Sequence, residues 1–276
     1  MVRKISAVKK AEFAERTKDI KEKIDQLNKQ TQEMMKDISK GDTLANYKRL
    51  ALANFYLTMI ALYVRLSDIS LEILGIKNES YLESARKLCY KVLSTLEEIV
   101  GTYIDAPLTE NKEQLATISQ LDDRKRLKLI QKVADAITAV EERFGPNSKW
   151  KWSFVDLEAR AAAVCKNLTD FKKIQESNDP RIEGFADRMD LLRFIKTYLR
   201  KAADRLREKY EVATHDFGEM KKAIQYLQAL LRIATIFSTG SNEVDNLRKN
   251  IKIWEEKLEQ DEKLEEERKK KKVLKK

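Results

Sequence analysis

The sequence contains little glycine and little proline, seven and three residues respectively in a chain of 276. Folds with many tight turns and short strands need more of both, because these residues supply the backbone conformations that turns require. Charged residues make up 36% of the chain, against about 25% in ordinary globular proteins. The composition therefore predicts an all-α protein with long helices, few connections and much solvated surface.

Histidine is almost absent, since His215 is the only one. A single histidine excludes Ser/His/Asp and Cys/His catalysis of the ordinary kind, and also the di-iron bundle, which needs a Glu-x-x-His on each of two helices. The glycines are scattered singly, so neither a Walker loop nor a dinucleotide-binding loop is present. We expect no catalytic residue, no cofactor and no metal site, and predict that the protein is not an enzyme. An enzyme of another kind is the remoter alternative.

One short motif resembles part of a catalytic signature. His215-Asp216-Phe217-Gly218 contains the Asp-Phe-Gly triplet that holds magnesium in protein kinases. The kinase signature also requires a glycine-rich loop and a His-Arg-Asp loop, and the sequence has neither. We interpret the motif as a joint between two helices, with Phe217 pointing inward.

The chain has two cysteines, Cys89 and Cys165, and both fall at apolar positions of predicted helices. A free cysteine at such a position behaves as a small hydrophobic residue. Residues 1–20 contain no apolar core of a secretory signal, which favours a reducing, cytoplasmic setting. Pairing of the two cysteines in an oxidising compartment stays open if a signal peptide has been removed.

The formal net charge of +10 is concentrated at the two ends of the chain. Eleven of the 55 cations lie in residues 1–10 and 268–276, which contain no acid, so the other 44 nearly balance the 45 acids. Excess charge confined to chain ends weakens the case for a broad basic face that docks on nucleic acid.

The most apolar stretch is residues 54–75, NFYLTMIALYVRLSDISLEILG. Its apolar run from Phe55 to Val64 covers ten residues, whereas a membrane span needs about twenty. Arg65 and Asp68 follow at once. The wide apolar arc predicts the central helix of a bundle rather than a membrane span.

The first and last helices carry narrow apolar stripes with heptad spacing. Apolar residues step alternately by four and three residues in the helices predicted for about 4–40 and 242–270, as in a coiled coil. We expect each stripe to lie against one partner surface, either the other stripe or another chain. The N-terminal seam is Phe13, Thr17, Ile20, Ile24, Leu27, Thr31, Met34 and Ile38, and the C-terminal seam is Val244, Leu247, Ile251, Trp254 and Leu258.

Breaks in the apolar pattern predict seven or eight long helices in an elongated bundle with coiled-coil-like ends. Gly41 and Gly75 are predicted helix stops, and Ser80, Ser153 and Asp179 are predicted N-caps. The predicted segments are 1–41, 42–145, 146–240 and 241–276. Between the terminal helices, the predicted helices cover about 43–74, 80–105, 121–144, 153–177 and 181–237, with a break near 214–218 and with 109–119 either separate or joined to the helix after it.

Trp150 and Trp152 alternate with Lys149 and Lys151. Aromatic side chains beside cations can stack on nucleic-acid bases or anchor a protein partner. A structural interpretation competes with this one, because a tryptophan before Ser153 can staple the first turn of the helix that this serine would cap. The pair is therefore a candidate interface, with helix entry as the alternative.

Two further groups of cations are candidate anion-binding residues. The first is a basic stripe on one helix, where steps of three, four and seven residues place Arg193, Lys196, Arg200 and Arg207 on one face. Nearby carboxylates favour an ordinary solvated face instead. The second is the C-terminal run Lys269, Lys270, Lys271 and Lys272, which suits either an anionic surface or a solubilising tail.

These patterns predict a non-enzymatic scaffold or adaptor subunit of a larger assembly. It would act through helix–helix contacts with a protein partner or with itself, because two regular seams lie on helices too charged to be core. The alternative is a nucleic-acid or anionic-surface binder that uses the basic ends and the basic stripe. Nucleic acid is the less favoured partner, no transmembrane segment is expected, and peripheral contact with an anionic surface is left open.

Overall fold

The computed structural model describes residues 5–38, 42–238 and 240–273, without the side chains of residues 241, 272 and 273. Over these residues it contains ten α-helices and no strand, and eight of the helices have seven residues or more. The predicted all-α fold with seven or eight long helices is confirmed. The helices are α1 (Ala7–Asp37), α2 (Ala45–Ile69), α3 (Glu79–Val100), α4 (Lys112–Ala116), α5 (Asp123–Phe144), α6 (Lys151–Asn167), α7 (Phe171–Glu176), α8 (Phe185–Lys209), α9 (Phe217–Phe237) and α10 (Ser241–Val273).

The chain divides into two compact units. Unit 1 comprises Met1–Gly101 and Glu113–Leu157, and unit 2 comprises Thr102–Lys112 and Glu158–Lys276. Unit 1 thus contains α1, α2, α3 and α5, whereas unit 2 contains α7 to α10, and α6 contributes its first part to unit 1 and its second part to unit 2. Each terminal helix is an integral part of one unit.

Unit 1 is built around α2. This helix packs most extensively against α3 and also contacts α1 and α5. It continues into a π-helical turn, Ser70–Leu74, and Gly75 ends that turn in the left-handed region with φ of 67°, as predicted for a helix stop. Arg143 on α5 forms a bidentate pair with Asp68, at 2.8 and 2.9 Å. Apolar burial of α2 against α3, α1 and α5, together with the Arg143–Asp68 pair, therefore holds the unit together.

The helix Ala45–Leu74 is the one helix among the described residues that is long and apolar enough to cross a membrane. A helix in the core of a bundle satisfies the same criteria of length and composition. In this structure 56% of its most apolar 18-residue window is buried within the protein. Its packing against α3, α1 and α5 accounts for that burial.

Unit 2 is built around α9, which packs against α8 and α10. It buries several charged side chains, and each of them has polar partners. Glu158 is fully buried, and its carboxylate lies 2.5 Å from the Arg205 guanidinium and 2.6 Å from the Lys201 ammonium. The Lys209 ammonium lies 3.1 Å from the Glu219 carboxylate in a second buried pair. Pairing of this kind is what makes buried charge tolerable.

The start of α3 is capped by Asn78, and the predicted cap at Ser80 is wrong. The Asn78 side-chain oxygen accepts from the backbone N–H of Ser80 at 3.1 Å and from its hydroxyl at 2.7 Å. Asparagine is as effective an N-cap as serine, so the cap lies two residues earlier and the helix begins at Glu79.

The predicted cap at Ser153 is also wrong, because α6 begins at Lys151 and Ser153 lies within its first turn. The Ser153 hydroxyl is 2.8 Å from the Tyr90 hydroxyl and accepts from Arg86 at 3.2 Å. Its polar group therefore ties α6 to α3 instead of capping a helix.

The helix that starts at Lys151 ends at Asn167, ten residues before the predicted end near Ser177. Asp170 caps the separate helix α7 and accepts from the backbone N–H of Lys173 at 3.0 Å. Asp170 thus starts a second helix shortly after α6 has ended, which apolar periodicity alone does not reveal.

Asp179 and Pro180 lie in a turn, and the prediction that they open the next helix is wrong, since α8 begins at Phe185. Asp179 accepts from the backbone N–H of Arg181 at 2.9 Å, while Gly184 precedes α8 with φ of 78°. The buried Arg188 guanidinium donates to three backbone carbonyls of this turn, which fixes the loop.

The joint predicted at the His215-Asp216-Phe217-Gly218 motif is confirmed. Helix α8 passes into a π-helical turn, Tyr210–Thr214, and His215 then takes the left-handed conformation with φ of 49°. Asp216 caps α9 by accepting from the backbone N–H of Gly218 at 2.8 Å. Phe217 is half-buried, with its ring centroid 6.3 Å from that of Tyr210.

Gly41 was predicted to stop the first helix, and it lies outside the described residues. The predicted stop between the last two helices agrees with the end of α9 at Phe237 and the start of α10 at Ser241.

Candidate protein-binding site

The N-terminal seam faces the interior of unit 1. Helix α1 packs on α2 and on its π-helical turn, and the Arg16 guanidinium donates to the Glu72 carboxylate of that turn at 2.8 Å. Contact of this seam with another chain would require α1 to leave its unit. The buried seam residues are Thr17, Ile24, Leu27 and Thr31, and the half-buried ones are Phe13, Ile20, Met34 and Ile38.

The C-terminal seam faces the interior of unit 2. Leu247, Ile251, Trp254 and Leu258 are buried and Val244 is half-buried, because α10 packs along α9. The Arg207 guanidinium from α8 lies over the Trp254 ring, 5.0 Å from its centroid. This seam is therefore also covered by helices of its own unit.

Trp150 and Trp152 lie at the entry to α6, and both are half-buried. The Arg86 guanidinium stacks on the Trp150 ring at 3.6 Å from its centroid, and the Lys151 ammonium lies 4.4 Å from the centroid of Trp152. The buried Trp150 indole N–H has no hydrogen-bond partner. Cations of unit 1 thus occupy ring surface that a partner would use. The predicted staple is wrong, because Trp152 lies inside α6 and Ser153 does not cap that helix.

Every cation of the basic stripe on α8 has a carboxylate partner. The pairs are Arg193 with Asp190 at 3.1 Å, Lys196 with Glu243 at 2.7 Å, Arg200 with Asp204 at 2.9 Å and Arg207 with Glu211 at 2.8 Å. Paired exposed charges present little net potential to an anion. The stripe therefore has the character of a solvated face rather than of an open anion site.

Three of the four stripe cations nevertheless line a groove in unit 2 with a volume of about 1060 Å³. We call it the α8–α10 groove. Arg193, Lys196 and Arg200 form one wall, and the amides Asn246 and Asn250 of α10 form the other. Met189, Leu192, Leu230, Phe237 and Leu247 supply its apolar surface. Arg207 does not belong to this groove, because it lies over Trp254.

Lys196 is the most firmly held cation of the groove. Its ammonium donates to the Glu243 carboxylate at 2.7 Å and to the Ser238 hydroxyl at 3.3 Å, and that hydroxyl in turn donates to Glu243. Burial alone would raise the pKa of Glu243, but these two hydrogen bonds more than offset it and hold the pKa below its ordinary value. Lys196 and Glu243 therefore form a fixed charged pair that joins α8 to α10.

A second groove lies in unit 1 between α2 and α5, with a volume of about 480 Å³. Its lining includes Leu57, Ile60 and Val64 from α2 and Ala136 and Ala139 from α5. Its two charged residues are Lys132 and Asp135, which are of opposite sign. It is therefore smaller and less charged than the α8–α10 groove.

The C-terminal lysines extend the last helix, which continues to Val273. Lys269, Lys270 and Lys271 are exposed, and Lys269 lies 3.8 Å from Glu265. The side chain of Lys272 lies outside the described residues.

Both cysteines are buried free thiols. Burial raises the pKa of Cys89 to about 12 and raises that of Cys165 still further. A thiol must ionise to act as a nucleophile or a metal ligand, so neither environment favours such a role. Among the described residues, no three or more His, Cys, Asp or Glu side chains are grouped as metal ligands would be.

Lys166 is the least ordinary buried charge and was not singled out from the sequence. Its ammonium donates to the Ile104 carbonyl at 3.1 Å and to the Asn167 side-chain oxygen at 3.1 Å. Burial first, and the nearby Arg232 guanidinium second, lower its pKa to about 8. The lysine ties α6 to the segment that begins at Thr102, a contact within unit 2 that links residues far apart in the sequence.

The α8–α10 groove was also not predicted from the sequence. It identified the cations of α8 and the apolar residue Leu247, but not Asn246, Asn250 or Leu230. These residues come from α8, α9 and α10. The available signal was the spacing of the two asparagines by four residues, which places them on one face of α10.

The structure defines an all-α protein of two helical units, each with an open groove between helices. The chain belongs to the TP0443 family, whose model matches residues 9–262. No curated protein and no solved structure matches the sequence.

Proposed function

We propose that this protein is a non-enzymatic scaffold or adaptor subunit that binds protein partners through helix–helix contacts. The observation that carries the proposal is the α8–α10 groove, an open surface with an apolar floor between two long helices of unit 2. Amphipathic helices bind in grooves of this kind by laying their apolar face on the floor.

The binding surface in this proposal differs from the seams. Because Ile24 and Leu27 in unit 1 and Leu247 and Ile251 in unit 2 are buried by helices of their own unit, the seams serve folding. The grooves are apolar surfaces that the described residues of each unit leave open. The proposal keeps a cytoplasmic location, since both cysteines are buried free thiols and reducing compartments preserve thiols.

Affinity capture of the full chain from its native cell, combined with light scattering of the purified protein, tests the proposal. We expect at least one protein to be enriched in stoichiometric amount, or the purified chain to form a defined oligomer. A chain that remains a monomer and gains no partner on chemical crosslinking would contradict the scaffold function.

A second candidate is binding to a nucleic acid or another anionic surface. It is favoured by the exposed cations of the last turns of α10, Lys269 to Lys271, whereas the pairing of the stripe on α8 removes its other support. Such binding would weaken steeply with salt. An electrophoretic assay with and without residues 268–276 would detect it, and a mobility that salt does not change would exclude it.

A further inference from the structure

We propose that the α8–α10 groove takes an amphipathic helix of a partner protein whose polar side carries carboxylates. This inference rests on the proposed function and deepens it by naming the chemistry of the partner. It combines three properties of the groove: its apolar floor, its excess of cations along one wall, and its size.

The lining charges favour an acidic occupant. Three cations, Arg193, Lys196 and Arg200, face the groove against one carboxylate, Glu243. The carboxylates that pair with Arg193 and Arg200 are Asp190 and Asp204, which are not part of the lining. Asp190 and Asp204 neutralise the two arginines in this structure, so an acidic helix gains complementary charge only when its own carboxylates replace these partners, whereas a basic helix finds none.

The two arginines can change partners at little cost. Their bonds to Asp190 and Asp204 are pairs along one helix between exposed side chains, and such pairs contribute only about 0.3–0.5 kcal/mol. A guanidinium that turns toward the groove can bind a partner's carboxylate with two parallel hydrogen bonds. Lys196, which Glu243 and Ser238 hold in place, stays as the fixed charge between them.

The dimensions favour a helix over a small molecule. The volume of about 1060 Å³ is at the upper limit of small-molecule pockets, about 300–1,000 Å³. Along α8 the first and last of the cations at 193, 196 and 200 are seven residues apart, or about 10 Å at the helical rise. That is two turns, so a bound helix would match them with carboxylates spaced by three, four or seven residues beside its apolar stripe.

The test places a photo-reactive amino acid at Thr197, an exposed residue that lines the groove, in the full chain in its native cell. After irradiation, the crosslinked peptide is sequenced by mass spectrometry. We expect a segment of another protein with an apolar helical stripe and carboxylates at the spacing given above.

Charge reversal supplies the matched comparison. Arg193→Glu with Arg200→Glu should lower the crosslinking yield at least fivefold. Lys249→Glu with Lys252→Glu changes the net charge by the same amount on exposed residues of α10 that do not line the groove, and should leave the yield unchanged. Circular dichroism of both variants verifies that they fold.

Several results would overturn the inference: an adduct with lipid, nucleic acid or a second copy of this chain, no adduct at Thr197, or an equal yield from both double variants. Affinity capture separates this failure from failure of the scaffold function. If the Arg193→Glu, Arg200→Glu chain captures the same proteins as wild type, the groove is not the binding site but the scaffold function stands. If wild type captures nothing and the purified chain remains a monomer, both proposals fail.

Discussion

The two terminal helices share one apolar spacing but are held in their units by different means. In α1 the seam includes two buried threonines, and the Arg16–Glu72 pair links it to the π-helical turn after α2. In α10 the buried seam residues are all large and apolar, and polar contacts flank them on both sides. These contacts are Lys196–Glu243, Lys221–Glu262, Gln228–Glu255 and Tyr210–Asp261.

The difference shows that the same heptad pattern occurs in two kinds of contact. In one, few directional side-chain contacts fix the register of the helix, and in the other, many do. A threonine in a helical seam uses its hydroxyl locally, as Thr17 does with the Phe13 carbonyl at 2.7 Å, and adds nothing directional across the helix pair. Side-chain contacts between helices, such as that of Tyr210 with Asp261, fix both register and orientation. Helix α10 should therefore respond to loss of large side chains and of ionised carboxylates, and α1 mainly to loss of apolar character.

The largest effect is expected for Ile24→Asp in α1. Ile24 is 4% exposed, and an unpaired carboxylate at this position should lower the free energy of unfolding by about 4 kcal/mol. Urea unfolding of the full chain measures the loss. Gln26→Asp, which adds the same group to an exposed position of the same helix, should change stability by less than about 0.5 kcal/mol. Equal, small effects of both substitutions would mean that the seam faces water.

Trp254→Ala tests the corresponding position in α10. The side chain is 3% exposed and lies under the Arg207 guanidinium, so truncation should cost about 3 kcal/mol through lost burial and a cavity. Thermal and urea unfolding would measure it. Ile253, on the same helix, is 57% exposed, and Ile253→Ala should cost less than about 0.5 kcal/mol. If both truncations cost the same, α10 does not pack as described.

Acid should weaken the contacts of α10 through Asp261. The hydrogen bond from Tyr210 at 2.6 Å, aided by Lys257 at 2.9 Å, holds the pKa of Asp261 below its ordinary value. A carboxylate whose pKa is lower in the folded than in the unfolded state stabilises the protein when the pH is above the pKa of the unfolded state. This contribution is lost as the pH falls through the pKa of the folded state. As the pH falls from 5 to 3, wild type should therefore lose more of its free energy of unfolding than Asp261→Asn.

Unfolding of both proteins at the two pH values measures this difference. Asp245→Asn is the control, because Asp245 is an exposed carboxylate on the same helix with a single long contact to Arg248 at 3.6 Å. Identical acid sensitivity of wild type and Asp261→Asn would show that the Tyr210 contact does not stabilise α10.

The smallest effect is expected for Thr17→Val in α1. The valine keeps the shape of the buried threonine and removes a hydroxyl that bonds only to its own helix, so stability should rise by about 0.5 kcal/mol. Thr58→Val is the matched control, since Thr58 makes the same bond to Asn54 at 2.9 Å but is exposed, and it should be neutral. If Thr17→Val instead lowers the free energy of unfolding by more than about 1 kcal/mol, the Thr17 hydroxyl helps to fix the register of α1.

The all-α fold and the buried face of each helix could be predicted from the sequence, because apolar periodicity indicates which side of a helix is buried. The seam residues Ile24 and Ile251 illustrate this, since both were placed on the buried face and both are buried. Periodicity does not report what covers that face. The surfaces that cover these seams, on α2 and α9, lie on broadly apolar helices with no feature that marks them as partners.

Several helix starts and the groove could not be predicted from periodicity, for a different reason. Asn78 and Ser80 are both competent caps, and only the folded backbone decides between them. The groove depends on residues as distant as Met189, Leu230 and Asn250, which three helices bring together. No local pattern in the sequence encodes that proximity.

Amide hydrogen exchange of α1 and α10, measured by mass spectrometry at protein concentrations differing a hundredfold, tests the central claim most directly. The claim is that both seams are covered by helices of the same chain, so that neither seam is available to a partner. Highly charged helices without a packed face exchange rapidly. The account predicts protection of both helices that is identical at the two concentrations, whereas protection that disappears on dilution would show that the seams pair between chains and would contradict it.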